Sequence, residues 1–388
     1  MALARRWGTV GLRVHQLLEF IWHSDWKYIP YVWAAPLENL VQRAAPTAQP
    51  ILSSWWAYNY FFATISPAVV ELEEWLGIGP PLCPLLPVLG TPYAEKGNAL
   101  LHSILAHEVG HLALDQHPVQ LPAPELTSDA LGSLSGEPLT APQAPPGSLF
   151  EHTLRESLTG EFSRAFRAWA QEIVADLFAL QMLGPAYFFA FSFLGVSADM
   201  LSEPDRSQPP LGVRCRALLR AVEAWGHLGA LPQPLQQVVL QWKTFGWEAP
   251  QLARVHQLVQ DSLEQHLDAL IEAVNGAAES LGLAYSSEAY RRDVEALRNR
   301  ILDGVPPDTI GTVPYHAVSL AAILNAAWEV RLAYLPELQR LVAGDKFDPE
   351  DANQRSQALG VLNRLTTKAI EYHAIATQWE KARARTEG

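Results

Sequence analysis

The stretch "ALLHSILAHEVGHLALDQH", Ala99–His117, places four of the chain's twelve histidines within sixteen residues. Leu100, Ile104, Leu105, Leu112 and Leu114 recur at helical intervals with no internal proline, so the spacing predicts a helix. On that helix His107 and His111 stand one turn apart on the same face, with Glu108 beside them. Gly110 keeps one side of the helix slim.

Outward from this helix the pattern stays helical. Residues 1–75 read as helix, with "ILSSWWAYNYFF" supplying core aromatics. "GIGPPLCPLLPVLGTP", Gly77–Pro92, is too rich in proline for a helix and is expected to give one short edge strand. A Pro/Gly/Ser-rich loop follows at 118–148, either a lid or binding segment or a tolerated insertion. A helix is predicted from about Leu149 to Leu183, stopped by Gly184-Pro185. Leu252, Val255, Val259, Leu263, Leu267, Leu270 and Val274 form one later stripe. Asp348 and Pro349 read as N-cap and N1 of a final helix. There Leu362, Leu365, Ala369, Tyr372, Ala376 and Trp379 make a core-facing stripe. Alternating β-branched residues are scarce, so the expected fold is mainly α with at most a small sheet.

The chain has 388 residues, 49% of them apolar and 18% charged, which is enough for a substantial core. A net charge of −13 argues against nucleic acid or an anionic membrane surface as partner. Cys83 and Cys215 are too few for a disulfide framework and fit a reducing compartment. The first twenty residues lack a continuous apolar run and read as an amphipathic helix or a transit peptide, not a secretory signal. "GPAYFFAFSFLGVSADML" falls short of a membrane span. A soluble, cytoplasmic protein is expected.

Two imidazoles spaced as His107 and His111 can grip one divalent ion, Zn²⁺ being the usual one for such a pair. A catalytic zinc takes three protein ligands and a water, and Glu108 is placed to take that water's proton. Two residues compete for third ligand. His117 has the metzincin offset, but Leu114 stands where that pattern needs glycine for a sharp turn. Pairing with backbone carbonyls past the helix end is the other reading of His117. Glu172 lies in "AWAQEIVADLFALQMLGPAY", one turn before Asp176, among apolar neighbours that would desolvate both acids. A metal for Glu172 and an imidazole N–H for Asp176 would give them partners. Alternatively both acids line a wet face and pair with Arg164 or Arg167.

H-E-V-G-H followed by E-I-V-A-D on a separate helix resembles the gluzincin metallopeptidases, closest to the heat-shock-type and CAAX-prenyl-type branch. The resemblance covers about residues 95–220. It implies a zincin-like core with His107, His111 and Glu172 as zinc ligands, Glu108 as general base and Asp176 orienting a histidine. It also implies a peptidase of protein or peptide substrates. Members of that branch carry a histidine and a following arginine after the second motif. Here "SQPPLGVRCRALL" has Gln208 at the histidine position, with Arg214 or Arg216 left as oxyanion stabiliser. The chain is accordingly divided into an N-terminal helical and aromatic region (1–92), a metal-binding core (93–230) and a C-terminal helical region (231–388). Two rival readings are a degenerate zinc-binding scaffold, its site blocked by Tyr187 or the 118–148 loop, and a helical interaction protein.

Overall fold

The computed structural model describes residues 29–56, 60–76, 85–122, 149–197, 208–244, 254–310 and 318–387, with scattered positions between 11 and 27. Cys83, Met200, residues 123–148, Leu252 and the Tyr315-His316 pair lie outside the described residues. The described chain is mainly helical with one small sheet, as the periodicity predicts. Its helices are α1 Ala34–Ala44, α2 Ser66–Leu76, α3 Leu105–Gln116, α4 Leu149–Leu183, α5 Pro185–Ser197 and α6 Leu211–Ala224. They continue as α7 Gln233–Thr244, α8 Arg254–Ser280, α9 Ser287–Leu302, α10 Leu320–Ala333, α11 Leu335–Ala343 and α12 Ala352–Glu387. No helix among them is long and apolar enough to cross a membrane.

The sheet corrects two expectations. Its strands β1 Ile51–Trp55 and β2 Phe61–Thr64 occupy the aromatic stretch that reads as helix. The third, β3 Pro87–Pro92, is central and not an edge: the order is β1-β3-β2, with β1 parallel and β2 antiparallel to β3. Proline survives there because Pro87 and Pro92 are the two ends of β3, leaving Val88–Thr91 to make the ladder. Gly90 faces the Phe61 ring so closely that a Cβ would lie 2.0 Å from it, so a side chain at 90 would evict that ring.

What positions the site is the contact between α3 and α4. A Cβ on Gly110 would lie 2.5 Å from the Ala175 carbonyl oxygen and 2.9 Å from its Cα. The two helices therefore meet backbone to backbone at this point. His107 and His111 flank the contact on one side, Glu172 and Asp176 on the other.

Helix α4 ends on Gly184, whose φ of 61° suits glycine. Asn325 of α10 donates its side-chain amide to the Leu183 carbonyl at 2.8 Å. Pro185 then opens α5, a helix with almost no polar face and Ala186, Tyr187, Phe188 and Ala190 fully buried. Val255, Val259, Leu263, Leu267, Leu270 and Val274 of α8 are buried as their stripe predicts.

Two expectations about α12 need revision. Its cap is Asp351, whose Oδ1 accepts from the Asn353 and Gln354 N–H groups, while Asp348 closes a turn on Glu350 N–H. Leu362 and Ala369 are buried, but Tyr372 and Trp379 are 50% and 71% exposed, so the stripe faces the core only in its first half. There Asn363 Oδ1 accepts from Ala99 N–H at 2.9 Å, tying α12 to the turn before α3. One hydrophobic cluster runs from Trp33 to Ile370.

Candidate metal centre

Four side chains from α3 and α4 converge in this fold. His107 Nε2 lies 3.1 Å from His111 Nε2 and 3.4 Å from Glu172 Oε2, and His111 Nε2 lies 3.3 Å from Glu172 Oε1. Metal bonds of 2.0–2.1 Å in a tetrahedron give ligand–ligand edges of about 3.3 Å. The two imidazole nitrogens stand at about that separation, and the two Glu172 oxygens each reach one of them, so the three side chains can close on one ion. Two histidines and one carboxylate are also the donor set of several catalytic zinc sites. The residues fit the ion.

Asp176 sits behind them, fully buried. Its Oδ1 takes Tyr187 O–H at 2.5 Å, Arg214 Nη2 at 2.7 Å and His107 Nδ1 at 2.8 Å, and its Oδ2 takes Arg214 Nε at 2.7 Å. A hydrogen bond from His107 Nδ1–H leaves the Nε2 lone pair facing the other two donors. Burial would raise Asp176, but the Arg214 guanidinium, followed by His107, holds it at about 2. Burial would lower His107, and Asp176 with Glu172 more than reverses this, to about 9. Burial likewise pushes Glu172 up, yet its contacts with both imidazoles bring it well below the ordinary carboxylate range.

Glu108 is different. It is 6% exposed and has no hydrogen-bond or ion-pair partner among the described residues. Burial raises its pKa, only partly opposed by the two histidines. With His107, His111 and Glu172 it lines a cleft of about 370 Å³, walled by Tyr60, Phe61 and Phe62 and rimmed by Asp115, Gln171 and Gln208.

The other sequence candidates divide cleanly. Arg214 is at the centre, stacked over Phe191 at 4.8 Å; its hydrogen bonds go to Asp176, and its Nη1 lies 3.6 Å from Glu172 Oε2. Arg216 points instead toward α8, pairing with Glu264 at 2.9 Å, and does not line the cleft. His117 gives Nε2 to the Ala44 carbonyl at 3.0 Å and is not among the converging donors. Tyr187 bonds Asp176, not the three donors, so it does not occupy a fourth coordination position. Neither acid pairs with Arg164 or Arg167; Arg164 bonds the Gly160 carbonyl of its own helix.

Comparisons with protein families, curated proteins and solved structures find no match. The functional reading therefore rests on the side chains themselves. Sequence reasoning missed the place of Asp115 and the contribution of β2 to the cleft wall. Asp115 had a usable signal, its offset of four from His111.

Proposed function

We propose that this chain is a zinc-dependent peptidase acting on protein or peptide segments in the cytoplasm. The observation that carries this reading is Glu108. Its side chain is almost wholly enclosed, and its carboxylate stands at the cleft wall beside three converging metal donors. The resemblance of H-E-V-G-H and E-I-V-A-D to the gluzincin motifs supports the same assignment.

His107, His111 and Glu172 would hold the ion. When bound, it supplies a Lewis acid for a carbonyl oxygen and a more acidic water. The rest is work for the chain's own groups. Glu108, its pKa raised by burial and so a stronger base than an exposed carboxylate, would accept the proton and return it to the departing amine. Asp176, gripped by Arg214 and Tyr187, fixes the tautomer and direction of the His107 ring. The β2 wall leaves an open-sided cleft, which an extended chain can enter.

Glu108→Gln tests the reading. Elemental analysis is expected to find the same zinc content as in the wild type, while peptide turnover falls by about 10²–10⁴-fold. Unchanged turnover, or loss of zinc from the variant, would overturn the role given to Glu108.

A further inference from the structure

Asp115 stands one helical turn beyond His111, on the same face of α3 and at the rim of the same cleft. It is exposed, and no described residue pairs with it. Nothing in the fold accounts for its charge. It lies in the last turn of α3, where the helix dipole disfavours an anion. Tyr60, Phe61 and Phe62 share the lining of this cleft, which among the described residues contains no lysine or arginine.

The charge balance sharpens the point. Arg214 and Asp176 neutralise each other behind the centre. Asp115 is the exposed carboxylate of the described lining. We propose that Asp115 selects a lysine or arginine side chain in the bound segment. This rests on the peptidase reading above and names its substrate class: basic peptides.

Position follows from helix geometry. Four residues of α3 advance about 6 Å, and an extended chain advances about 3.3 Å per residue. Asp115 therefore meets the side chain two residues from the bond at the centre. The aromatic wall suits the same cargo, since the stem of a lysine or arginine packs on ring faces and its cation is attracted to them.

The test measures binding, so it does not depend on turnover. Zinc-loaded Glu108→Gln protein is titrated with fluorescent nine-residue peptides of alanine, serine and leucine. Each carries a single lysine, alanine or glutamate scanned across the central five positions. Lysine two residues from the centre on one side is expected to bind about three- to tenfold more tightly than alanine there, with glutamate weakest. Adding Asp115→Asn is expected to abolish the difference and Asp115→Lys to invert it, and 0.5 M salt to shrink it. Because Asp115 is exposed, pairs with no described residue and stands where the helix dipole disfavours an anion, both variants are expected to unfold at or slightly above the thermal midpoint of the parent. Equal affinity for the three peptide types, a preference that survives Asp115→Asn, or no peptide binding would overturn the proposal. Wild-type turnover without charge preference sinks this inference alone. A charge preference that depends on Asp115 in a protein without turnover sinks only the peptidase reading.

Discussion

Asp176 accepts hydrogen bonds from three side chains on its two oxygens, and of those three only His107 lines the cleft. Its removal should therefore separate structure from metal binding. Asp176→Asn removes the nearer counter-charge of the buried Arg214 guanidinium and leaves Glu172 at 3.6 Å, so the cost falls at the lower end of about 3–5 kcal/mol. It also frees the His107 ring to adopt the other tautomer, lowering zinc affinity by about 10- to 100-fold. Adding Arg214→Met should restore much of the stability but none of the affinity. Chelator competition and urea unfolding on the two variants read the two effects apart. Unchanged zinc affinity in both would remove Asp176 from its positioning role. At this scale the sequence was informative about the acids, because Glu172 and Asp176 interrupt an apolar run in a way that demands partners. It was uninformative about Arg214, whose partner lies 38 residues away on another helix. No local pattern distinguishes an arginine aimed inward from Arg216, two residues on and facing the other way.

Among the elements, α3 and α4 were legible because each repeats an apolar period over several turns. The strands were not. Trp and Tyr pack equally well on a helix or a sheet, and β1 buries Ser53 and Ser54 where alternation would lead one to expect apolar residues. In β3 the prolines hide a strand by marking its ends. The final helix lies where its pattern predicts, but its cap is three residues later than Asp348. Asp348 and Asp351 offer the same side chain, and only the second has two helix N–H groups within reach. The α3–α4 contact yields a paired prediction from one chemical change. Gly110→Ala puts a Cβ against rigid backbone at Ala175, which no rotamer relieves. A cost of about 1–3 kcal/mol is expected, with weaker zinc binding as the helices part. Gly160→Ala, on α4 with open space around it, should instead stabilise by about 0.5–1 kcal/mol. Thermal unfolding of the two variants checks the opposite signs. Equal effects would mean that Gly110 does not set the approach of the helices.

Across the whole molecule, a single core encloses polar groups outside the set of metal donors, and these tie folding to pH. His227, 1% exposed, stacks on Tyr285 with ring centroids 6.4 Å apart, and its Nδ1 has no partner. Burial, then the charge of Arg291, lowers its pKa to about 4. His102, bonded to Tyr60 O–H at 3.2 Å, is lowered by burial to about 4 as well. Neither histidine is legible from sequence, since its burial is set by contacts between distant segments. The sign of the effect follows from the folded state binding fewer protons. At pH 7 both rings are neutral whether folded or not. As pH falls below about 6.5 the unfolded chain takes up protons that the folded one refuses, so stability drops until about pH 4 and then levels off. Each ring contributes about 1.4 kcal/mol per pH unit within that window. His227→Phe keeps the stacking on Tyr285 and removes one titrating site. Urea unfolding in the presence of chelator, at pH 7 and pH 5, should find the wild type losing about 2 kcal/mol more than this variant. Equal losses would mean that His227 is protonated in the folded protein and that its burial costs nothing in acid.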